Sequence, residues 1–470
     1  MQRFLILFIL AGFIASCGKD PNSSQPSQPN IIFIFIDDMG YGDLSAYGNC
    51  KIQTPNIDRI GEEGIKFTNF YVAAPICSPS RVGVTTGQYP SRHRITSYLA
   101  GSKYNARRGM VNYLDPNQPT IAKAMKKAGY ATAHIGKWHM GGGRDVIAPK
   151  PTEYGFDESI VSFEGLGDRL LIKGEDLSVQ SEKLGEGKIT WVEKHEITPI
   201  LIDRALEFIK KQEDKPFYIH LWPGDVHDPF KAKSEHREMF KQFANNHYEQ
   251  EFMATLYQLD KEIGRLLNAL DEMDLANNTL IIFTADNGPT DWKFYYDENY
   301  IPPGSADPFR GRKWSLYEGG IREPFMVRWP RKIPAGLTND STILHATDLF
   351  PTLCSLAGIE TPDVAFDGLD MSDVLLGKGG QRSKPIFWEY GSDLDIKPGN
   401  PRFISPRMAM RNGKWKLLMN DDGSQMELYD LSVDHAETKN VINDNPEIAE
   451  RMAKQIMEWK STLPKNASQI

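Results

Sequence analysis

The sequence predicts an α/β protein with a large, mostly parallel sheet sandwiched by helices, followed by a smaller C-terminal antiparallel sheet with one helix. Short apolar segments typical of strands buried on both faces predict the large sheet, and amphipathic segments between them predict its covering helices. An Asn-Gly pair between two strand-like segments predicts the antiparallel sheet. The chain has 470 residues, 40% of them hydrophobic, which is enough for a sizeable core.

Three apolar runs predict central strands of the large sheet. Each run is short and rich in β-branched or aromatic residues, as expected for a strand that is buried on both faces. Amphipathic segments of helical periodicity predict the helices that cover it. The strands are predicted at Asn30–Ile36, Phe217–Leu221 and Thr279–Phe283, and the helices at Thr120–Lys127, Pro199–Lys211 and Glu251–Glu272.

The C-terminal part of the chain changes character after about residue 385. Asn412 and Gly413 separate two strand-like runs, which is a strong signal for a two-residue hairpin turn. A further strand and a final helix complete this part. The strands are predicted at Arg407–Arg411, Lys414–Leu418 and Glu427–Leu431, and the helix at Pro446–Ser461.

The N-terminus predicts export. A basic residue, Arg3, precedes an apolar run that reaches Ala15, so residues 1–16 are interpreted as a signal peptide. The four residues that end at Cys17 resemble a bacterial lipobox, in which the cysteine is acylated after cleavage. Residues 17–29 are then a lipidated tether of an exported lipoprotein, periplasmic or anchored in the outer membrane. Plain secretion with an incidental cysteine is the alternative.

The charge balance argues against a nucleic-acid partner. Lys and Arg number 54 against 62 Asp and Glu, so the net charge is −8. Such a surface has no general excess of cations to hold phosphates.

Two of the cysteines have no distinctive neighbours. Cys50 and Cys354 are interpreted as inert or paired with each other, whereas Cys77 lies in a specific motif.

Acidic and amide side chains follow two of the predicted strands. Asp37 and Asp38 come after the first strand, and Asp286 and Asn287 come after the strand that begins at Thr279. Ligands of parallel sheets bind beyond the carboxyl ends of the strands, so these side chains are expected to meet. Three carboxylates and an amide oxygen would repel one another unless a hard divalent cation neutralised them. Either pair alone could equally be a turn or a helix cap, and it is the recurrence that favours a metal site.

The segment around Cys77 carries the most specific motif. Cys77 is followed by Pro79, Arg81 and a Thr-Gly pair, which resembles the signature of the type I sulfatases of the alkaline phosphatase superfamily. In that family a formylglycine-generating enzyme oxidises the cysteine to formylglycine. One hydroxyl of the hydrated aldehyde attacks sulfur, and the other allows the diol to collapse and expel sulfate. The sequence departs from the family pattern at Thr85 and Gln88, where leucine and arginine are usual.

Other segments of the family follow in the correct order. The run 136–139 resembles the family's Gly-Lys-Trp-His segment, and 226–229 resembles its His-x-Pro segment. Lys313 and the run 318–322 resemble the Lys then Glu-Gly-Gly-x-Arg block, with Glu323 in place of the common valine. The protein therefore resembles bacterial glycan sulfatases.

The resemblance covers about residues 30 to 465. It implies an alkaline-phosphatase-like sulfatase catalytic domain over residues 30–385 and a C-terminal α+β subdomain over residues 386–470.

The resemblance implies the metal ligands. Asp37, Asp38, Asp286 and Asn287, with the diol formed from Cys77, are expected to bind Ca²⁺, for which Mg²⁺ is the alternative.

The resemblance also implies the remaining catalytic residues. Arg81, Lys137 and Lys313 would hold the nucleophile and the sulfate, and His139 would accept the proton of the second hydroxyl. His227 would protonate the departing sugar oxygen, a task that Lys313 could share. Lys137, His227 and Lys313 are thus also expected to bind the substrate.

The predicted reaction is the removal of sulfate from a sulfated glycan or sugar. Exo action on a galactose or N-acetylgalactosamine sulfate is favoured. The alternatives are a phosphoester or phosphonate monoester hydrolase of the same superfamily and a catalytically dead glycan-binding lipoprotein.

Two groups of residues near the motifs are candidates for sugar contacts. For the tryptophans, core packing is the favoured interpretation, and for most of the basic residues it is a solvated surface. The tryptophans are Trp138, Trp222, Trp292 and Trp314, and the basic residues are Arg92, His93, Arg94, Arg107, Arg108 and Arg144.

Overall fold

The structure, a computed structural model, describes residues 28–213, 215–296, 298–392 and 394–465. The predicted signal peptide 1–16, Cys17 and most of the tether 17–29 lie outside the described residues. Within the described ranges, no helix combines the length and the apolar character needed to cross a membrane.

The described residues form two sheets with helices around them. The strands are β1 Asn30–Ile36, β2 Ile65–Tyr71, β3 Ala131–Gly136, β4 Glu158–Val161, β5 Arg169–Ile172, β6 Ile189–Val192, β7 Phe217–Trp222, β8 Thr279–Ala285, β9 Arg322–Arg328, β10 Leu337–Asn339, β11 Leu344–His345, β12 Ile386–Glu389, β13 Met408–Asn412, β14 Trp415–Met419 and β15 Glu427–Asp430. The helices are α1 Pro55–Glu62, α2 Cys77–Thr86, α3 Ser102–Arg107, α4 Ile121–Lys127, α5 Asp176–Lys183, α6 Ile197–Lys210, α7 Ser234–Phe240, α8 His247–Glu272, α9 Glu318–Ile321, α10 Leu349–Ala357, α11 Ser372–Leu375 and α12 Pro446–Ser461.

The large sheet is mixed but mostly parallel, as predicted. Its strand order is β10-β2-β9-β8-β1-β7-β3-β4-β5-β6, and β11 pairs with β2. β9 is antiparallel to both of its neighbours, β2 and β8. β1 lies at the centre, parallel to β7 and β8, which explains why all three predicted strands read as continuous apolar runs.

Both faces of the sheet are covered, so successive residues of β1 enter different cores. Phe33 and Phe35 pack on the side of α2, α4 and α10. Ile32 and Ile34 pack on the other side, against α1, α6 and α8. This alternation across a fully buried strand is the two-residue period of an extended chain.

The helix predictions are confirmed with shifted ends. α8 begins at His247, four residues before the predicted start. The side chain of Asn246 caps it by accepting hydrogen bonds from the backbone N–H groups of Tyr248 and Glu249, which is the role that favours Asn at this position.

The second sheet is the predicted antiparallel one, in the order β12-β13-β14-β15. Met452 and Ile456 of α12 pack on it in a small core of their own. The hairpin turn lies one residue later than predicted, because Asn412 pairs with Trp415 and leaves Gly413 and Lys414 as the turn. Gly413 has a φ of 56°, so glycine suits the first central position.

The cysteine interpretation needs one correction. Cys50 is exposed and Cys354 is buried, and both are free thiols. The alternative in which they pair with each other is therefore wrong, because the fold places one at the surface and the other inside a helix of the core.

Candidate active site

The metal-ligand candidates meet at the carboxyl ends of β1 and β8. These neighbouring parallel strands are in register up to Ile36 and Ala285, so the residues that follow them emerge side by side. The side chains of Asp37, Asp38 and Asp286 are buried, and each offers an oxygen that lies within 4.8 Å of the others and of the sulfur of Cys77.

Cys77 is the first residue of α2 and faces this carboxylate cluster. Its sulfur lies 3.6 Å from Oδ1 of Asp37, and its exposed fraction is 2%. Burial raises the pKa of the Cys77 thiol to about 12. An unmodified Cys77 is thus a neutral thiol rather than the thiolate that a nucleophilic cysteine requires.

Three buried cations pair one to one with the three carboxylates. Nη2 of Arg81 lies 2.6 Å from Oδ2 of Asp286. The guanidinium of Arg81 also lies over the rings of Phe35 and Trp222, which hold it from below. The pairing balances each charge in a buried site, where an unpaired charge would be costly.

Two lysines form the other pairs. Nζ of Lys137 lies 2.6 Å from Oδ2 of Asp37, and Nζ of Lys313 lies 2.5 and 2.7 Å from the oxygens of Asp38. Burial would raise the pKa of Asp37, but Lys137 and the other cations hold it well below its usual range. Burial would lower the pKa of Lys313, but Asp38 raises it well above its usual range. The three pairs leave no net charge around Cys77, and a bound divalent cation would supply the positive charge that a sulfate group needs.

Asn287 shows that this donor set suits a metal ion. Its Nδ2 donates to Oδ1 of Asp38 and to the carbonyl of Gly288, whereas its Oδ1 is buried and has no partner among the described residues. An orphaned amide oxygen beside three carboxylates offers the hard oxygen ligands that Ca²⁺ and Mg²⁺ prefer. The residues present thus fit a divalent cation.

The two predicted catalytic histidines, His139 and His227, both follow Cys77 in the sequence and line the same cavity as Cys77. Nδ1 of His227 lies 2.6 Å from the carbonyl oxygen of Asp228, and Nε2 lies 3.5 Å from Oδ2 of Asp38. Burial lowers the pKa of His227 to about 4 in spite of the nearby carboxylates.

His139 uses the other ring nitrogen for its backbone contact, Nε2 instead of the Nδ1 that His227 uses. Its Nε2 lies 3.2 Å from the carbonyl oxygen of Leu99 and 3.5 Å from Oε2 of Glu164, whereas its buried Nδ1 has no partner within the described part of the chain. Burial lowers the pKa of His139 well below its usual range. A neutral imidazole with one free nitrogen can accept a proton.

These residues border a cavity of about 420 Å³ that is open to solvent on one side. Its volume lies in the range of small-molecule sites. Three of its lining residues, Ser162, Lys194 and Tyr295, were not predicted. The buried hydroxyl of Ser162 has no partner among the residues that the structure describes. The hydroxyl of Tyr295 lies 3.5 Å from Nε2 of His227. A lone Ser, Lys or Tyr outside a motif carries no sequence signal, so only the fold identifies them.

A second cavity, of about 600 Å³, borders Asp43, Cys50 and Arg312. It contains none of the predicted catalytic residues, so the chemistry assigns the active site to the smaller cavity.

The interpretation of most basic residues as a solvated surface is wrong. Only Arg107 among them is exposed. Three of the others form ion pairs: Arg92 with Asp367, Arg108 with Asp395 and Arg144 with Glu164. Arg94 donates to the backbone carbonyl of Gly109, and His93 is buried. Their partners are distant in sequence or lie in loops, which is why no local pattern shows the pairing.

The tryptophans agree better with expectation. Trp138 and Trp222 are fully buried and pack in the core. Trp314 is nearly buried and Trp292 is half-buried, and both border the cavity.

The fold and this site define a class of metal-site hydrolases built on a mixed α/β sheet. Comparison with known proteins then shows the family: residues 29–359 match the sulfatase family model, and residues 310–462 match the family described as N-sulphoglucosamine sulphohydrolase, C-terminal. The chain belongs to the sulfatase family and is a sulfuric ester hydrolase.

Individual relatives agree with the family. An N-acetylgalactosamine-6-O-sulfatase of Bacteroides thetaiotaomicron is 31% identical, with 95% of each chain covered. The crystal structure of Ps i-CgsB in complex with k-i-k-neocarrahexaose is 27% identical, has a TM-score of 0.75, and covers 92% of this chain and 93% of its own. The phosphonate monoester hydrolase of Agrobacterium radiobacter is 20% identical with a TM-score of 0.60 over 92% of this chain and 96% of its own, which shows a common fold alone.

Proposed function

We propose that this sulfatase removes sulfate from a galactose or N-acetylgalactosamine unit at the end of a glycan, with a nucleophile made from Cys77. The observation that carries the proposal is the contact between Cys77, at the start of α2, and a buried cluster of three carboxylates and three cations. The names of the relatives support a sugar substrate, since one is an N-acetylgalactosamine-6-O-sulfatase.

The proposed metal is Ca²⁺, held by Asp37, Asp38, Asp286 and Asn287. When bound, the ion would lower the pKa of the attacking hydroxyl and neutralise oxygens of the sulfate. The support from this chain is the buried oxygen-donor set, including the unpartnered Oδ1 of Asn287.

The proposed nucleophile is formylglycine, whose hydrate supplies a hydroxyl where Cys77 supplies only a neutral thiol. Because Cys77 is 2% exposed, a formylglycine-generating enzyme would need to reach the 77–81 motif before the chain has folded. That enzyme is therefore a proposed partner of the nascent chain.

The cations would hold the sulfate while it is transferred. Arg81, Lys137 and Lys313 donate from fixed positions, so little reorganisation is needed as negative charge develops. His139 would accept a proton on its free Nδ1. These groups surround Cys77, where the sulfate would bind.

His227 is the proposed proton donor to the departing sugar oxygen, with Lys313 able to share the task. The contact with the carbonyl of Asp228 orients the ring, and Nε2 is left towards Asp38 and Tyr295. Negative charge from a bound sulfate ester would raise the pKa of His227 from about 4 towards neutrality.

The proposed location is an exported lipoprotein, periplasmic or in the outer membrane, because residues 1–17 have the pattern of a lipobox signal. Radiolabelled palmitate is expected to label the wild-type chain in a bacterial host and to leave Cys17→Ala unlabelled. Equal labelling of both chains would contradict the proposal.

The function is tested by mass and by turnover together. Protein made in a host with a formylglycine-generating enzyme should lose about 18 Da at the Cys77 peptide and hydrolyse sulfated sugars. Cys77→Ala should be inactive, and Cys354→Ala, which removes another buried cysteine, should keep full activity.

Three results would contradict the proposal. Active protein with an unmodified Cys77 thiol would exclude the nucleophile. Faster hydrolysis of an aryl phosphate than of the matched aryl sulfate would favour the phosphoester or phosphonate hydrolase instead. Binding of a sulfated sugar without any turnover, by formylglycine-containing wild type as by Cys77→Ala, would point to a binding protein.

A further inference from the structure

Arg144 lies at the wall of the cavity that His139 also lines, and the proposed sulfate chemistry gives it no role. Nε of Arg144 lies 2.8 Å from Oε1 of Glu164, and Oε2 of Glu164 lies 3.5 Å from Nε2 of His139. The two terminal nitrogens of Arg144 have no partner among the described residues, and its side chain is 29% exposed at the cavity wall. A guanidinium is therefore held at one edge with its two other donors free.

The local backbone is built to bring Arg144 and Glu164 together. Both residues have positive φ angles, 57° and 38°, which non-glycine residues rarely adopt. Position 143, next to Arg144, favours glycine because a Cβ there would lie 2.6 Å from Cγ of Glu164. Such strain is typical of ligand-binding positions that the surrounding structure holds in place.

Glu175 adds an acceptor to the same cavity. Its Oε2 accepts a hydrogen bond of 2.6 Å from the hydroxyl of Ser178, and its Oε1 has no partner among the described residues. Lys194 also lines this cavity and offsets the charge of Glu175, as Glu164 offsets that of Arg144. This part of the cavity is therefore close to neutral and offers both hydrogen-bond donors and an acceptor.

We propose that Arg144 and Glu175 recognise neighbouring hydroxyl groups of a neutral sugar ring. The terminal nitrogens of Arg144 would donate to two ring oxygens, and Oε1 of Glu175 would accept from a hydroxyl. A second sulfate or a carboxylate on that ring would meet no excess of positive charge here, so this part of the cavity favours uncharged hydroxyl groups. The inference rests on the proposed function and narrows its substrate to a ring whose only charge is the scissile sulfate.

The test compares two sulfate esters in steady-state kinetics. One is the fastest substrate among monosulfated galactose and N-acetylgalactosamine, and the other is para-nitrophenyl sulfate, which has no sugar hydroxyls. Arg144→Met and Glu175→Gln are each expected to lower kcat/KM for the sugar about 10- to 100-fold, mainly through KM, and to change kcat/KM for the aryl ester less than about 3-fold. Arg107→Met, an exposed arginine of α3 outside the cavity, should leave both substrates unchanged.

Equal losses on both esters would show that Arg144 acts only through Glu164 and His139, and would overturn the proposal. So would unchanged kinetics on the sugar, or wild-type protein that cleaves a disulfated ring as fast as the monosulfated one. Calorimetry of the monosulfated sugar binding to Cys77→Ala separates the proposal of ring recognition from the proposal of sulfate hydrolysis, because this variant lacks the nucleophile. Tight binding that Arg144→Met weakens supports ring recognition even if no sulfate ester is hydrolysed, and no binding overturns it.

Discussion

Glu323 is a buried carboxyl group that the catalytic site does not use. It lies on β9, and both of its oxygens are buried without a partner among the described residues. Burial, with Asp286, Asp43 and Asp38 nearby, raises its pKa well above the usual value of 4.5. The folded protein therefore holds the proton on Glu323 up to a higher pH than the unfolded chain does.

Replacing this carboxyl should stabilise the protein in a pH-dependent way. Because the pKa in the folded state is raised, wild-type stability from this group is lost as pH rises above the usual value of 4.5. Glu323→Gln is expected to raise the free energy of unfolding by about 2 kcal/mol at neutral pH and by much less in mild acid. Urea unfolding at the two pH values measures this, and a destabilised variant would show that Glu323 has a favourable partner.

Lys194 positions the segment that carries His227. Its Nζ donates to the backbone carbonyls of His227 at 2.6 Å and of Pro229 at 2.8 Å. Lys194→Met should lower kcat about 10-fold with little change of KM, because the imidazole loses its fixed position. Steady-state kinetics against Lys188→Met, an exposed lysine, checks this. A change confined to KM would instead place Lys194 in substrate binding.

At the scale of elements, α2 is the helix on which the site depends. It carries Cys77 and Arg81, and it packs so closely on the chain after β2 that a Cβ on Gly83 would lie 2.3 Å from Cβ of Ala73. The position of α2 is therefore set by the close approach of the Gly83 backbone to Ala73 rather than by longer side chains that could adapt.

A methyl group at this contact should move the helix. Gly83→Ala is expected to lower the free energy of unfolding by about 1–3 kcal/mol and to reduce activity, because α2 shifts relative to β1. Gly336→Ala, where no atom lies within 4 Å of the added Cβ, should cost only its positive φ of 75° and keep activity. Chemical denaturation and turnover measure both, and full activity of Gly83→Ala would contradict the argument.

At the scale of the whole molecule, a buried ionic network joins the C-terminal sheet to the catalytic loop. Nζ of Lys416 on β14 lies 2.8 Å from Glu318 and 2.9 Å from Glu437. Glu437 also accepts from the backbone N–H of Glu318, the first residue of α9. Since α9 begins five residues after Lys313, the C-terminal sheet supports the loop that carries this lysine.

Breaking the network should destabilise the molecule strongly. Lys416→Met removes the cation that the two buried carboxylates share, although Glu318 keeps a contact of 3.3 Å with Arg322. The substitution is expected to lower the free energy of unfolding by about 3 kcal/mol. Lys414→Met, on the exposed side of the same hairpin, should cost less than about 1 kcal/mol. Denaturant unfolding compares them, and equal effects would exclude the network as a main contributor to stability.

Much of the fold follows from local patterns. The central strands, the main helices and the antiparallel sheet are predicted by periodicity and by turn residues, which are patterns among residues close together in the sequence. The helix α2 was not among the predictions, because Cys77–Thr86 is buried all round and contains Gly83, so it lacks an amphipathic pattern. The interpretation of Arg92, Arg108 and Arg144 as part of a solvated surface was wrong because their carboxylate partners come from other parts of the chain.

The sequence by itself determined the family, the motif of Cys77 and the grouping of Asp37, Asp38, Asp286 and Asn287, because strand ends in a parallel sheet must converge. Only the tertiary structure decided which cation pairs with which carboxylate, and that Oδ1 of Asn287 and both carboxyl oxygens of Glu323 have no partner among the residues that the structure describes. It also decided that Arg144 and Glu175 share the cavity. These contacts join residues that no periodicity links, and their charges interact only once folding has brought them together in a buried site.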